Sequence, residues 1–319
     1  MYHRHFGLRE EPFGVSPDRR FFFRTEQHGE AIATLYYAIH QRRGFVLLVG
    51  RPGSGKTSVL FTLVDLLKDR TQIAYLANPY YDRATVLESL LECMGLQPAA
   101  SAAANHRLFY EYLLMTHSAG KMCVAIFDEA QDLDRDTLEA IRMLSNFENS
   151  SGKLVQVVLA GQPRLAETLK QPDCEQIRQR LNAVARLNPL TAREVNAYMA
   201  HRLETAGGST AIFAREAIEA VAVASSGIPR NVNTICFNSL SLAFALDKRQ
   251  VGPEEVAEVI RDLDLFADEP SPRPLGAAPF GGDPIAFLSC GAPADGNACQ
   301  ASPEPAVECG GPPGLRRNI

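Results

Sequence analysis

Residues 50–57 read Gly50-Arg51-Pro52-Gly53-Ser54-Gly55-Lys56-Thr57 and fill the pattern G-x-x-x-x-G-K-[ST]. Ahead of them Gly44-Phe45-Val46-Leu47-Leu48-Val49 is short, apolar and rich in β-formers; behind them Val59, Leu60, Leu63, Leu66 and Leu67 recur at helical spacing. Strand, glycine loop and helix are the context in which this pattern binds phosphate. Glycines at 50, 53 and 55 open backbone conformations closed to residues with a Cβ. Successive N–H groups can then converge on phosphate oxygens at a helix N-terminus. The candidate nucleotide-binding residues are therefore Gly50, Arg51, Pro52, Gly53, Ser54, Gly55, Lys56, Thr57 and the adjoining Ser58. Lys56 adds a charge toward the β and γ phosphates, and Thr57 offers its hydroxyl to Mg²⁺, a cation that takes few protein ligands.

A chain of 319 residues, 46% of them hydrophobic, can bury a sizeable core. A formal net charge of −5 gives no global basic signature, so unspecific nucleic-acid binding does not follow from charge. No run approaches the roughly 18 uninterrupted apolar residues of a membrane span, and Met1-Tyr2-His3-Arg4-His5-Phe6 lacks the apolar core of a secretory signal. Seven cysteines form no C-x-x-C pair, which points away from a disulfide framework and toward the cytoplasm. Histidine spacing offers no zinc pattern either.

Residues 45–190 alternate apolar runs with amphipathic stretches, predicting an α/β fold with a parallel sheet covered on both faces. Strands are expected at Phe45–Val49, Ile73–Leu76, Met122–Phe127, Val155–Leu159 and Ala183–Leu187. Helical patterns fall at about 55–68, 82–94, 105–118, 135–147 and 173–181. From Thr191 to Leu265 the pattern turns wholly helical, with room for about four helices. Thr191-Ala192-Arg193-Glu194 reads as a capping box, Gly207-Gly208 as its helix's stop, and Pro253-Glu254-Glu255 as a first turn. From Ala267 on, 10 of the 20 prolines and 8 of the 23 glycines fall within 53 residues, which predicts a disordered tail. The expected division is an α/β core over 1–190, a small helical domain over 191–265 and the tail over 266–319.

Seventy residues past the loop, the apolar run Cys123-Val124-Ala125-Ile126-Phe127 ends in Asp128-Glu129. Ligands of doubly wound sheets sit at the carboxyl ends of strands. Asp128 is thereby expected beside the Mg²⁺ of Thr57, and Glu129 beside the attacking water, as general base. The next strand ends at Gln162, a candidate to hold the water or the γ-phosphate, with a turn residue before Pro163 as the competing role. Arg178 and Arg180 lie two residues apart on a helix and so face different directions; one could serve a neighbouring subunit's nucleotide. Arg230 stands in the first turn of an apolar helix, where a cation opposes the macrodipole, so an anion such as the γ-phosphate would offset that cost.

Together the loop, Asp128-Glu129-Ala130-Gln131, Gly161-Gln162-Pro163, Arg178-Gln179-Arg180 and Gly227-Ile228-Pro229-Arg230 resemble the AAA+ ATPases of the ExeA/GspA type, of the general secretion pathway. The leader Phe6-Gly7-Leu8-Arg9-Glu10-Glu11-Pro12-Phe13, then Pro17-Asp18-Arg19 and His28, is similar as well. The resemblance covers about residues 1–265. It implies a five-stranded P-loop NTPase core in the order 5-1-4-3-2, a helical lid, ATP and Mg²⁺ as cofactors, and an oligomer. By position it implies Lys56 and Thr57 in Walker A, Asp128 and Glu129 in Walker B, Gln162 at sensor 1, Arg178 or Arg180 as the arginine finger, and Arg230 at sensor 2. Secretion-pathway members usually continue into a transmembrane helix and a peptidoglycan-binding domain, where this sequence has its Pro/Gly-rich segment.

The leading expectation is an ATP hydrolase that assembles or remodels a protein partner, such as a secretion or envelope-assembly component. An alternative is an ATP-dependent regulator of transposition type that binds duplex DNA; a third is a scaffold that binds ATP and barely hydrolyses it. Asp-Glu-Ala-Gln also resembles a DExx-box helicase motif, but no second helicase core follows.

Overall fold

The runs Phe45–Gly50, Met122–Phe127 and Val155–Gly161 are buried along almost their whole length, and the computed structural model shows why. It describes residues 2–14, 18–77, 82–150 and 152–263; Pro17 and the predicted tail lie outside the described residues. The chain begins with a single turn, α1 (Tyr2–His5), and then α2 (Glu26–His40), β1 (Phe45–Gly50), α3 (Lys56–Leu67) and β2 (Thr71–Leu76). There follow α4 (Val86–Cys93), α5 (Ala102–Ser118), β3 (Met122–Phe127), α6 (Arg135–Met143) and the minimal antiparallel pair β4 (Glu148–Asn149) and β5 (Gly152–Lys153). β6 (Val155–Gly161), α7 (Pro163–Thr168), α8 (Glu175–Arg178) and β7 (Leu181–Leu187) close the sheet. Four helices come last: α9 (Ala192–Thr205), α10 (Arg215–Ala224), α11 (Pro229–Ala245) and α12 (Pro253–Asp262).

The main sheet is parallel, in the order β2-β3-β6-β1-β7. Counting only its own strands, that is 2-3-4-1-5, the expected order read from the other edge. Alternation along each strand sorts side chains between two layers. Phe45, Leu47 and Val49, with Ala125, Phe127, Val157 and Leu159, pack under α4, α5, α6 and α7 through Leu90, Phe109, Ile141 and Leu165. Val46 and Leu48, with Val124, Ile126, Val158 and Ala160, pack under α2 and α3 through Leu35, Ile39, Leu60 and Leu63. Leu66, part of the helical pattern in the sequence, instead faces outward and is 55% exposed.

Sequence periodicity missed α2 altogether. Its signals were present: Thr25 caps it through a bond from the His28 amide, and Ala31, Ile32, Leu35, Ala38 and Ile39 form its buried stripe. α7 was missed as well; it is a six-residue helix opened by Pro163 at its first turn.

The helices from 192 onward share a third core with the N-terminal leader. Tyr2, Phe6, Leu8, Phe13 and Phe21 pack among Val195, Met199, Leu203, Val232 and Ile235. The leader is thus held against the helical part of the protein. Buried Arg202 fixes it there: the guanidinium donates to the carbonyls of Pro12 and Gly14 and to Tyr198 Oη, and lies over the Phe21 ring. The capping box at Thr191 and Glu194 forms as the sequence predicts.

Replacing Arg202 by Met keeps much of the aliphatic volume but leaves those carbonyls without a donor. The expected loss is about 1–3 kcal/mol of unfolding free energy, the cost of buried unpaired polar groups, read from urea denaturation. An unchanged midpoint would show that the leader is not anchored through this residue.

Candidate functional site

Parallel strands all end on one side of the sheet, and the residues singled out in the sequence divide according to that polarity. β1 lies between β6 and β7, with Val49 beside Gly161 and Gly50 beside Leu187. The loop after Gly50 therefore emerges where its neighbours also end, at a crevice of the kind that binds ligands in open α/β sheets. Its turn closes with Gly55 at φ +95° as the N-cap of α3. Gly53 has φ +75°, and a Cβ there would come within 2.5 Å of Arg230 Cβ. The first turn of α11 is pressed onto the loop at this point, and the Arg230 amide donates to Gly53 O at 3.4 Å.

Lys56 is buried, and its Nζ donates to Gly50 O at 3.1 Å and Arg51 O at 3.4 Å. Burial pushes its ammonium below the usual lysine value, while the charges of Glu129 and Asp128 pull the other way. Ser54 Oγ is buried with no partner among the described residues. An orphaned hydroxyl, a buried cation and a helix N-terminus built on glycine are the donors a polyphosphate requires.

Across the crevice, Asp128 follows the end of β3. Its Oδ2 accepts from Thr57 Oγ1 at 3.3 Å and from Tyr75 Oη at 2.8 Å, and its Oδ1 from the Glu129 amide at 2.9 Å. Thr57 Oγ1 and Asp128 Oδ2 are hard oxygen donors, and the pair fits a cation that keeps most of its water. Glu129 itself adopts φ +51°, a left-handed conformation that costs a residue with a Cβ of order 1–3 kcal/mol and collects at functional positions.

One cavity is lined by Gly53, Gly55, Lys56, Thr57, Ser58, Glu129 and Arg230. Gln162 is not part of that lining; it sits at the end of β6 as the N-cap of α7. Arg178 and Arg180 are at the opposite end of the sheet, since Leu181 pairs with Phe45, where β1 begins. Arg178 is exposed and donates to Lys170 O, whereas Arg180 donates to Ser145 Oγ. Neither reaches the cavity of its own chain.

Residues 39–169 match a family model described as an AAA domain. General secretion pathway protein A of Aeromonas hydrophila is 38% identical over 273 residues, covering 84% of this chain and 50% of that protein. This chain is an AAA ATPase of the ExeA/GspA type. The ExeA/GspA-type chain spans half the length of the curated relative it matches. Among solved structures, Cdc6p from Pyrobaculum aerophilum superposes with a TM-score of 0.61 at 16% identity, covering 81% of this chain and 74% of that one. The ORC2 protein of Aeropyrum pernix, in ADPNP–ADP complexes, gives 0.57 at 15% identity, with 77% and 72% covered. At such identities these two likenesses show the fold.

Several residues at the ExeA/GspA-type site escaped the sequence reading. Phe21, Phe22, Phe23, Tyr198, Arg202 and Asn233 line the same cavity and come from the leader, α9 and α11. Tyr75 was read only as a strand residue, yet its hydroxyl holds the Asp128 carboxylate. His28 had entered only as part of the leader pattern. It is buried with Nε2 donating to Ser54 O at 3.3 Å and Nδ1 against Thr25 Oγ1 at 2.5 Å, so the neutral Nε2–H tautomer satisfies both contacts. Aromatic and polar residues dispersed over 200 positions carry no local signal.

Burial pushes the His28 imidazole below its ordinary value. Its native state favours the neutral ring, so below about pH 6.5 the unfolded chain takes up this proton first. The stability held above that pH is lost as pH falls toward the depressed folded value. Thermal melts of wild type and His28→Gln should diverge in pH slope in this window, the variant's being flatter. Parallel slopes would remove His28 as the titrating group. Gly53→Ala should also destabilise the protein, by at least about 1–2 kcal/mol for the left-handed backbone alone, with displacement of Arg230 added; a wild-type denaturation midpoint would contradict the contact.

Proposed function

We propose that this chain binds ATP with Mg²⁺ and hydrolyses it to ADP and phosphate, and that the cycle drives assembly or remodelling of a protein partner. The observation carrying this reading is that Thr57 and Glu129 line a cavity floored by the phosphate loop, with Asp128 hydrogen-bonded to both. The loop amides and Lys56 bind the phosphates, Thr57 and Asp128 hold Mg²⁺, and Arg230 reaches the γ-phosphate from α11. Bound Mg²⁺ supplies charge neutralisation on the β and γ phosphates. Glu129 orients a water for in-line attack and accepts its proton; the new P–O bond forms as the bond to the ADP oxygen breaks. Gln162, at the end of the neighbouring strand, steadies the water or the γ-phosphate.

Arg178 and Arg180 supply nothing to their own cavity, which supports a homo-oligomer in which one of them stabilises a neighbour's transition state. An arginine finger of that kind contributes about 10³–10⁵ in rate, so turnover should rise with protein concentration. The protein acts in the cytoplasm in this reading: among the described residues no helix is long and apolar enough to cross a membrane, and Cys93, Cys123, Cys174 and Cys236 are free. The division into core, helical lid and tail follows the same reading, the lid carrying Arg230. A secretion or envelope component is the partner class suggested by the similarity to general secretion pathway protein A.

Lys56→Ala should abolish nucleotide binding in equilibrium titrations. Glu129→Gln should bind ATP normally but lose about 10²–10⁴ in turnover, the usual worth of a positioned general base. Normal hydrolysis by Glu129→Gln would overturn the assignment. Duplex DNA added at low salt tests the other partner class: a salt-sensitive rise in turnover would replace the protein partner with nucleic acid.

A further inference from the structure

Resting on the reading of Glu129 as the water-activating carboxylate, we infer that Gln131 is its positioning residue and couples it to the strand beside the phosphate loop. The Gln131 amide makes three bonds. Nε2 donates to Glu129 Oε2 at 2.9 Å and to Asp132 Oδ2 at 2.7 Å, while Oε1 accepts from the Gln162 amide at 3.0 Å. Chemistry fixes that orientation. A flipped amide would set its oxygen against two carboxylates and its NH₂ against a backbone N–H, losing every bond.

The consequence for Glu129 is specific. One carboxylate oxygen is tied down, and Oε1 carries no hydrogen bond among the described residues, which leaves it for the proton of the water. Glu129 is already held at φ +51°, with its amide bonded to Asp128 Oδ1, so backbone and side chain are both constrained. Side chains locked this way keep a reacting group within the narrow geometry that catalysis needs.

The third bond extends the constraint into the sheet. Gln162 follows Gly161, which pairs with Val49, the residue before the phosphate loop. Gly161 also makes room for the contact: a Cβ on it would lie 3.0 Å from Gln131 Oε1 and 3.2 Å from the Gln131 amide nitrogen. A shift at the end of β6 is thereby transmitted to the Glu129 carboxylate through one side chain. Ala130, fully buried, anchors the short turn that carries Gln131.

Two variants separate positioning from packing. Gln131→Ala removes all three bonds, whereas Gln131→Glu keeps the size and the acceptor for the Gln162 amide but puts a carboxylate against Glu129. Both should lower kcat by about ten- to a hundredfold, the cost of misplacing a reacting group by about 1 Å, with KM and the Kd for ATP within twofold of wild type. A merely structural role would leave Gln131→Glu close to wild type, or move KM, Kd and melting temperature along with kcat. Either result overturns the inference, as does wild-type kcat in both variants. Glu129→Gln measured alongside keeps the two readings apart. If it hydrolyses ATP normally, the base assignment has failed; if it is inactive while Gln131→Ala and Gln131→Glu are not, only the coupling has.

Discussion

The bare Cα of Gly53 is the constraint that joins the two halves of the site. Its left-handed backbone turns the phosphate loop, and the space a Cβ would fill belongs to Arg230 at the start of α11. A helix from the last third of the chain thus rests on a loop from the first. The cavity depends on this contact: its floor is the loop, one wall is α11, and the leader, clamped to the helical cluster by Arg202, supplies the other aromatic wall. Moving α11 relative to the sheet would change the shape of the cavity directly, with Arg230 at its edge.

Burial and charge at the site work against each other in a way suited to polyanions. Lys56 is taken out of water, which disfavours its charge, and is supported by Asp128 and Glu129 across the crevice. The carboxylates are in turn fixed by neutral donors: Thr57 and Tyr75 on Asp128, Gln131 on Glu129. Neutral donors orient a carboxylate without cancelling its charge, so both acids remain available to a cation and to a proton.

Much of this was legible along the chain because local physics wrote it there. The glycine pattern at 50–57, the apolar runs of five strands, the capping box at Thr191 and the placement of Asp128-Glu129 at a strand end each need only a few adjacent residues to be read. Spacing alone has limits. α2 escapes a reading by motif although its cap and stripe are ordinary, and Leu66 fits the helical spacing yet faces outward, because spacing does not say how wide the buried stripe is.

Sequence by itself determined the ligand class, the parallel sheet and the two acidic residues at its edge, since motif, alternation and capping act over one or two turns of chain. Tertiary structure decided which side chains serve them. Tyr75 meets Asp128 across 53 positions, Gln131 meets Gln162 across 31, and His28 meets Ser54 across 26. Strand order, with β2 beside β3 and β3 beside β6, brings the first two pairs together, and the packing of α2 on the sheet brings the third. The same order sends Arg178 and Arg180 to the far end of the sheet, because parallel strands begin on one side and end on the other.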